Sequence, residues 1–290
     1  MVYKNILVPL DGSDLAERVV PAALYMAEAM AGKVTLLTVV AKKTRKDADL
    51  MAKAIQTGAY EADLYLRSVK KRFLPSLAPI ETAVITGKPD KDIIQFAQEN
   101  STDLIIMSTH GRSGITRWSF GRTAEKVLRR SPCPTVILRS EREIKLEKFD
   151  RVLLPLDGSL LAERVLLPAL DMVKILDVEL FLIRVVEPGS FYGFGHNDDA
   201  IDEEIEAAQA YLVEVGARLA RQGISVQPHV AVGSATDVIV DYAEAQEIDL
   251  ILLSSRGNSG FDSWMFGSVA EKVMKGAPCA ILVIRQEPFD

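Results

Sequence analysis

One internal duplication constrains this chain more than any other feature. Ile6-Leu7-Val8-Pro9-Leu10-Asp11-Gly12-Ser13 returns as Val152-Leu153-Leu154-Pro155-Leu156-Asp157-Gly158-Ser159, and Ala16-Glu17-Arg18-Val19 returns as Ala162-Glu163-Arg164-Val165. The offset is 146 positions (157 minus 11), and it holds for Gly87 and Gly233, Asp103 and Asp249, Gly111 and Gly257, Trp118 and Trp264, Gly121 and Gly267, and Cys133 and Cys279. A repeat this long copies whole domains, not a solenoid unit. With 290 residues, each copy is large enough to bury its own core. Between the copies, Ser140 to Lys148 is charged and poor in apolar runs, as an exposed connection would be. The expected domains are therefore residues 1–145 and 146–290.

Within each copy, short runs of Val, Ile and Leu alternate with longer stretches of helical periodicity. This is the pattern of βαβ units around a buried parallel sheet. Strands are predicted near 4–10, 33–40, 79–86, 103–108 and 134–139, and again 146 positions later. Ser13 and Ser159 suit the N-cap of the helix after the first strand, and Pro89-Asp90 opens another helix. The fold class is α/β: two tandem doubly wound domains, each a five-stranded parallel sheet with helices on both faces. Lys42 to Asp47 and Gly189 to Asp199 read as loops, and the copies differ most there.

Composition narrows the partners. A net charge of -6 and a pI near 5.3 give no overall attraction to nucleic acid or anionic lipid. The hydrophobic fraction of 48% with 26% charged residues belongs to a soluble globular chain. The apolar stretch from Ala22 to Val40 is interrupted by Glu28 and Lys33, so no membrane span is expected. The opening residues read as a first strand, without room for a signal-peptide core before Asp11. Two cysteines make a disulfide framework improbable, and the expected location is the cytoplasm.

In an open α/β sheet, ligands bind at the carboxyl ends of strands where the strand order reverses. After strand one stands Asp11-Gly12-Ser13, or Asp157-Gly158-Ser159. After strand four stands Ser108-Thr109-His110-Gly111-Arg112-Ser113-Gly114, or Ser254-Ser255-Arg256-Gly257-Asn258-Ser259-Gly260. Gly121-Arg122-Thr123 and Gly267-Ser268-Val269 then each open a helix. Glycine admits an anion close to backbone amides, and a helix start adds free N–H groups and a favourable dipole. Such a loop suits phosphate, although glycine loops also serve as plain turns. Neither a Walker A loop nor a Rossmann fingerprint is present, so phosphate would be held by amides and hydroxyls without a P-loop lysine.

At these residues the chain resembles the universal stress protein family, over essentially its full length and twice over. The family's nucleotide pattern is glycine, two residues, glycine, nine residues, glycine, then serine or threonine. The second copy gives Ser254-x2-Gly257-x9-Gly267-Ser268 and the first Ser108-x2-Gly111-x9-Gly121-Arg122. Serine replaces the first glycine in both, and Arg122 replaces the hydroxyl in the first. Arg122 would either add charge for a phosphate or fill the site. The resemblance implies ATP as ligand, with Asp11 and Asp157 on adenosine and Val39 and Val185 meeting adenine through backbone groups. Gly111, Gly114 and Gly121, with Gly257, Gly260, Gly267, Ser268 and Val269, would cradle the phosphates. It also implies strand order 3-2-1-4-5 and pairing through the fifth strands, here between the two copies, with a homodimer as a further possibility.

The remaining chemistry-bearing residues point to binding, not to an enzyme. Asp11 and Asp157 lack a second carboxylate or histidine at a recognisable spacing. His110 has Arg256 as its counterpart in the other copy, and His196 and His229 have no partners at metal-ligand spacing. Cys133 and Cys279 read as small buried hydrophobes, Ser13 and Ser159 as caps, and Trp118 and Trp264 as packing groups. Together with these residues, the resemblance implies an ATP-binding stress-response sensor or regulator. A nucleotide-free interaction scaffold, or a slow ATP hydrolase, are the alternatives it leaves.

Overall fold

The computed structural model describes residues 3–41, 48–109, 121–138, 148–163, 166–188, 198–254 and 266–284. The chain divides into two compact units between Lys148 and Phe149. In the first unit the order is β1 (Asn5–Pro9), α1 (Asp14–Glu17), α2 (Val20–Ala29), β2 (Lys33–Ala41), α3 (Ala48–Arg72), β3 (Ile80–Gly87), α4 (Pro89–Glu99), β4 (Leu104–Ser108), α5 (Arg122–Arg130) and β5 (Thr135–Leu138). The second repeats it with β6 (Arg151–Pro155), α6 (Leu160–Glu163), α7 (Leu166–Leu176), β7 (Glu179–Val186), α8 (Asp198–Ala220), β8 (Val226–Val232), α9 (Ala235–Ala245), β9 (Leu250–Ser254), α10 (Ser268–Gly276) and β10 (Ala280–Ile284).

Every strand pairing within a unit is parallel. The order is β3-β2-β1-β4-β5 in the first unit and β8-β7-β6-β9-β10 in the second. β2 and β3 lie on one side of β1 and β4 and β5 on the other, as β7 and β8 and then β9 and β10 lie about β6, which is the doubly wound arrangement. The reversal falls between β1 and β4, and between β6 and β9. Central strands are covered on both sides, so Ile6, Leu7, Val8 and Leu104 to Ile106 are each at most 1% exposed. At the end of its sheet, β8 carries exposed Gln227, Pro228 and His229, and there a proline without an N–H does no harm.

Three local features show how sequence becomes structure. Ser13 caps α1 by accepting from the Ala16 N–H at 3.2 Å, but α1 ends after one turn and α2 starts at Val20. One helix was expected there. Pro21 lacks the N–H and its ring crowds the carbonyl four residues back, so the chain restarts with proline in the new first turn. Asp103 accepts from the backbone N–H groups of Lys4 and Asn5, both at 2.8 Å. Asp249 does the same for Asp150 and Arg151, both at 2.9 Å. These duplicated aspartates thus clip the start of each unit's first strand. Of the predicted loops, 42–47 and most of 189–199 lie outside the described residues, while α8 already begins at Asp198.

Candidate functional site

The turn after the first strand is built alike in both units. Asp11 Oδ1 accepts from the Ser13 N–H at 3.0 Å and from its hydroxyl at 2.6 Å; Asp157 Oδ1 accepts from Ser159 at 2.9 and 2.5 Å. Gly12 and Gly158 carry the positive φ, +82° and +79°, that this tight turn demands. The aspartate is therefore held in place by its own turn at the carboxyl end of the central strand.

In the second unit this turn forms part of a cavity of about 470 Å³ over the carboxyl ends of β6, β7 and β9. Five of the residues expected at a nucleotide site come together on its wall: Asp157, Val185, Gly267, Ser268 and Val269. Gly267 is the N-cap of α10 and no side chain caps that helix, so its first amides face the cavity region without a side-chain acceptor. A helix start of this kind offers hydrogen-bond donors and a partial positive charge to an anion. The volume falls within the roughly 300–1,000 Å³ usual for small-molecule sites. The residues present thus fit a nucleotide: an acceptor for hydroxyls or amines at the centre, apolar Val185 and Ile239 for a flat base, and a helix start for phosphate.

In the first unit, Asp11 stands at the end of β1 and Val39 near the end of β2, where it pairs with Ile85. Gly121 caps α5, its N–H donating to the Thr109 carbonyl at 2.8 Å, and exposed Arg122 is the first helical residue. Gly111, Gly114, Gly257 and Gly260 lie outside the described residues, as do His110, Trp118, His196 and Trp264. His229 is exposed on β8, and its ring stacks on Tyr242 with centroids 4.6 Å apart. Cys279 is buried and Cys133 half-buried, and neither is in a disulfide. Among the described residues no group of three or more His, Cys, Asp or Glu side chains is arranged to hold a metal ion. Among them too, no helix is long and apolar enough to cross a membrane.

The structure adds residues that motif reading passed over. Arg184, Glu187, Glu204 and Ala235 also line the second-unit cavity. Glu187 Oε1 accepts from the Ala235 N–H at 2.8 Å, supplying from β7's end the cap that Ser234 does not give α9. The first unit has Ala41 and Pro89 at these positions; Pro89 has no N–H to satisfy, and the Lys88 N–H instead donates to the Asp92 carboxylate. Behind the turn, Arg218 pairs with Glu163 at 2.5 Å, as Arg72 pairs with Glu17. Burial in the first place, and the nearby Glu163 carboxylate, push the Tyr211 phenol well above its ordinary range; Tyr65 beside Glu17 behaves alike. Comparing the two copies position by position would have exposed Arg184 and Glu187, since they replace Thr38 and Ala41 at cavity positions.

Known proteins share this architecture and this duplication. A sequence model described as "Universal stress protein family" matches residues 2–139 and again 148–285. A universal stress protein of Methanocaldococcus jannaschii is 28% identical over 148 residues, covering 49% of this chain and 85% of that protein. One from Synechocystis is 22% identical over 304 residues, covering 97% of this chain and all of the other. Among solved structures, a universal stress protein from Archaeoglobus fulgidus superposes with a TM-score of 0.76 at 24% identity, covering 99% of this chain and 100% of that one. With both copies matched nearly end to end on a doubly wound frame, the chain belongs to the universal stress protein family as a tandem, two-domain member.

Proposed function

We propose that this protein is an ATP-binding regulator of the stress response, acting in the cytoplasm, with its second unit as the principal nucleotide site. The observation that carries this reading is the cavity that brings Asp157, Val185, Gly267, Ser268 and Val269 together at the point where strand order reverses. In it the adenine lies against Val185, Asp157 accepts from the adenosine, and the phosphates rest on the first amides of α10 with the Ser268 hydroxyl. Gly257 and Gly260 complete the phosphate cradle, as Gly111 and Gly114 would in the first unit. The reading is one of binding and release that alters partner preference, not of turnover.

The test is to denature freshly purified protein and quantify released nucleotide by chromatography and mass spectrometry, for the wild type and for Gly267→Asp. A carboxylate at Gly267 would put negative charge where the phosphates lie. About one equivalent of ATP in the wild type, lost in Gly267→Asp, supports a single site in the second unit. Near two equivalents, halved in the variant, would make Arg122 a phosphate ligand and the first unit an equal site. If no nucleotide co-purifies and titration calorimetry with ATP is silent, the scaffold reading replaces this one.

A further inference from the structure

We propose that Arg184 makes the second-unit cavity a site for adenine nucleotides that carry an additional phosphate on the ribose, at its 2′ or 3′ oxygen. This rests on the nucleotide reading above and adds a ligand class to it. Arg184 lies on β7, half-buried on the cavity wall, beside Asp157 and Val185. Its guanidinium reaches across the turn after β6: one Nη atom lies 3.0 Å from where a Cβ on Gly158 would stand, so the absent side chain makes the room it uses.

Among the described residues, the carboxylates that share the cavity wall with Arg184 have other partners or are exposed: Asp157 Oδ1 accepts from Ser159, Glu187 Oε1 accepts from the Ala235 N–H, and Glu204 is exposed. Among the described residues Arg184 makes no hydrogen bond or ion pair, and its nearest aromatic contact is the Tyr211 ring, 6.0 Å from guanidinium carbon to centroid. The adjacent carboxylate, Glu163, is already taken by Arg218. The first unit builds the same wall with Thr38, whose hydroxyl donates to the Leu10 carbonyl at 3.1 Å. The strand therefore needs no charge at this position. A half-buried guanidinium, a donor with no acceptor capacity, is stabilised by an anion brought to it.

The strand order says where on the ligand that anion sits. β7 lies two strands from β9, about 10 Å at ordinary strand spacing, with Asp157 on β6's turn between them. Phosphates at α10, which follows β9, occupy one end of the cavity. Arg184, leaning over the Asp157 turn from the other side, is then placed at the ribose. A carboxylate near the end of the second strand suits a bare ribose hydroxyl, whereas an arginine there accommodates a ribose phosphate; β7's end carries both, but Glu187 is engaged in capping α9 through the Ala235 N–H, which leaves Arg184 for the ribose oxygens. Its planar fork matches phosphate oxygens two at a time.

The test is titration calorimetry on the full chain with ATP, AMP, adenosine 2′,5′-bisphosphate and adenosine 3′,5′-bisphosphate, for the wild type, Arg184→Thr and Arg184→Lys. One bisphosphate is expected to bind the wild type roughly 10- to 100-fold tighter than AMP, the range of a charged hydrogen-bonded contact. Its identity tells which ribose oxygen carries the phosphate. Arg184→Thr, which installs the first unit's residue, should bring the ratio of bisphosphate to AMP affinity down to about one, and Arg184→Lys should keep part of the advantage. Bisphosphates no tighter than AMP, with ATP still binding, overturn the proposal alone. So does an equal loss for all ligands in Arg184→Thr, which would make Arg184 a packing residue. Silence toward every nucleotide overturns the nucleotide reading, and this proposal with it.

Discussion

Cys133 shows how strongly a single side chain's chemistry depends on where the fold puts it. Burial pushes its thiol up to about 11, an effect that contact with Ser131, 3.7 Å from Sγ to Oγ, only partly offsets. The native pKa lies above the unfolded value, so between about pH 8.5 and 11 the native state holds a proton that the unfolded chain has lost. Stability from this group is thus complete below that window and falls as pH rises through it. The thiolate is the reactive form, so at pH 8.5 alkylation of Cys133 should run at least roughly 30-fold slower in the native protein than in urea. Peptide mass spectrometry would read this, and equal rates would mean the thiol is not sequestered. Ser159 offers a second check at this scale. It donates to Asp157 and accepts from the Ala162 N–H at 3.0 Å, so Ser159→Ala should cost about 1 kcal/mol in denaturant unfolding.

At the scale of elements, the ends matter more than the middles. Asp249 carries two backbone N–H groups at the start of β6, across about a hundred residues of sequence. Asp249→Ala would leave both without that acceptor and should cost about 2 kcal/mol, while Asp249→Asn, which keeps one acceptor oxygen, should recover part of it in urea melts. The strands and long helices were legible in the sequence because their signals are local: apolar runs, prolines and caps. The role of Asp249 was not, because the donors it serves become neighbours only after the sheet assembles. The split between α1 and α2 was legible in principle from Pro21, yet the periodicity on both sides reads as one continuous helix. Asp157 and the Gly267-Ser268-Val269 turn stood out by their places after strands and by their spacing, and Val185 only through the family resemblance, whereas Arg184 looks in sequence like any surface cation on a strand. Its meaning came from its place on a cavity wall without a hydrogen bond or ion pair among the described residues.

The whole molecule is a duplicated frame carrying unequal surfaces. What recurs is what builds each unit: the strand-one turn, the strand clips, and the Glu17–Arg72 and Glu163–Arg218 pairs. Among the differences are positions on the second-unit cavity wall, where Arg184, Glu187, Ala235 and Ser268 stand in place of Thr38, Ala41, Pro89 and Arg122. These exchanges change charge and hydrogen-bonding capacity where, on the proposed reading, the nucleotide binds. Nucleotide should then stabilise the two units unequally. A ligand at 100 times its dissociation constant adds about 2.7 kcal/mol to the opening free energy of the part that binds it, slowing amide exchange there roughly 100-fold. With ATP at that level, hydrogen exchange read by mass spectrometry should slow in peptides from β6, β7, α9 and α10 and stay unchanged in β1, β2, α4 and α5. Equal slowing in both sets would show that Arg122 serves a phosphate as well as Ser268 does, and that the units diverged in something other than nucleotide occupancy. Slowing confined to the first set of strands and helices, with Gly267→Asp abolishing it, ties the nucleotide to the cavity that Asp157 and α10 enclose.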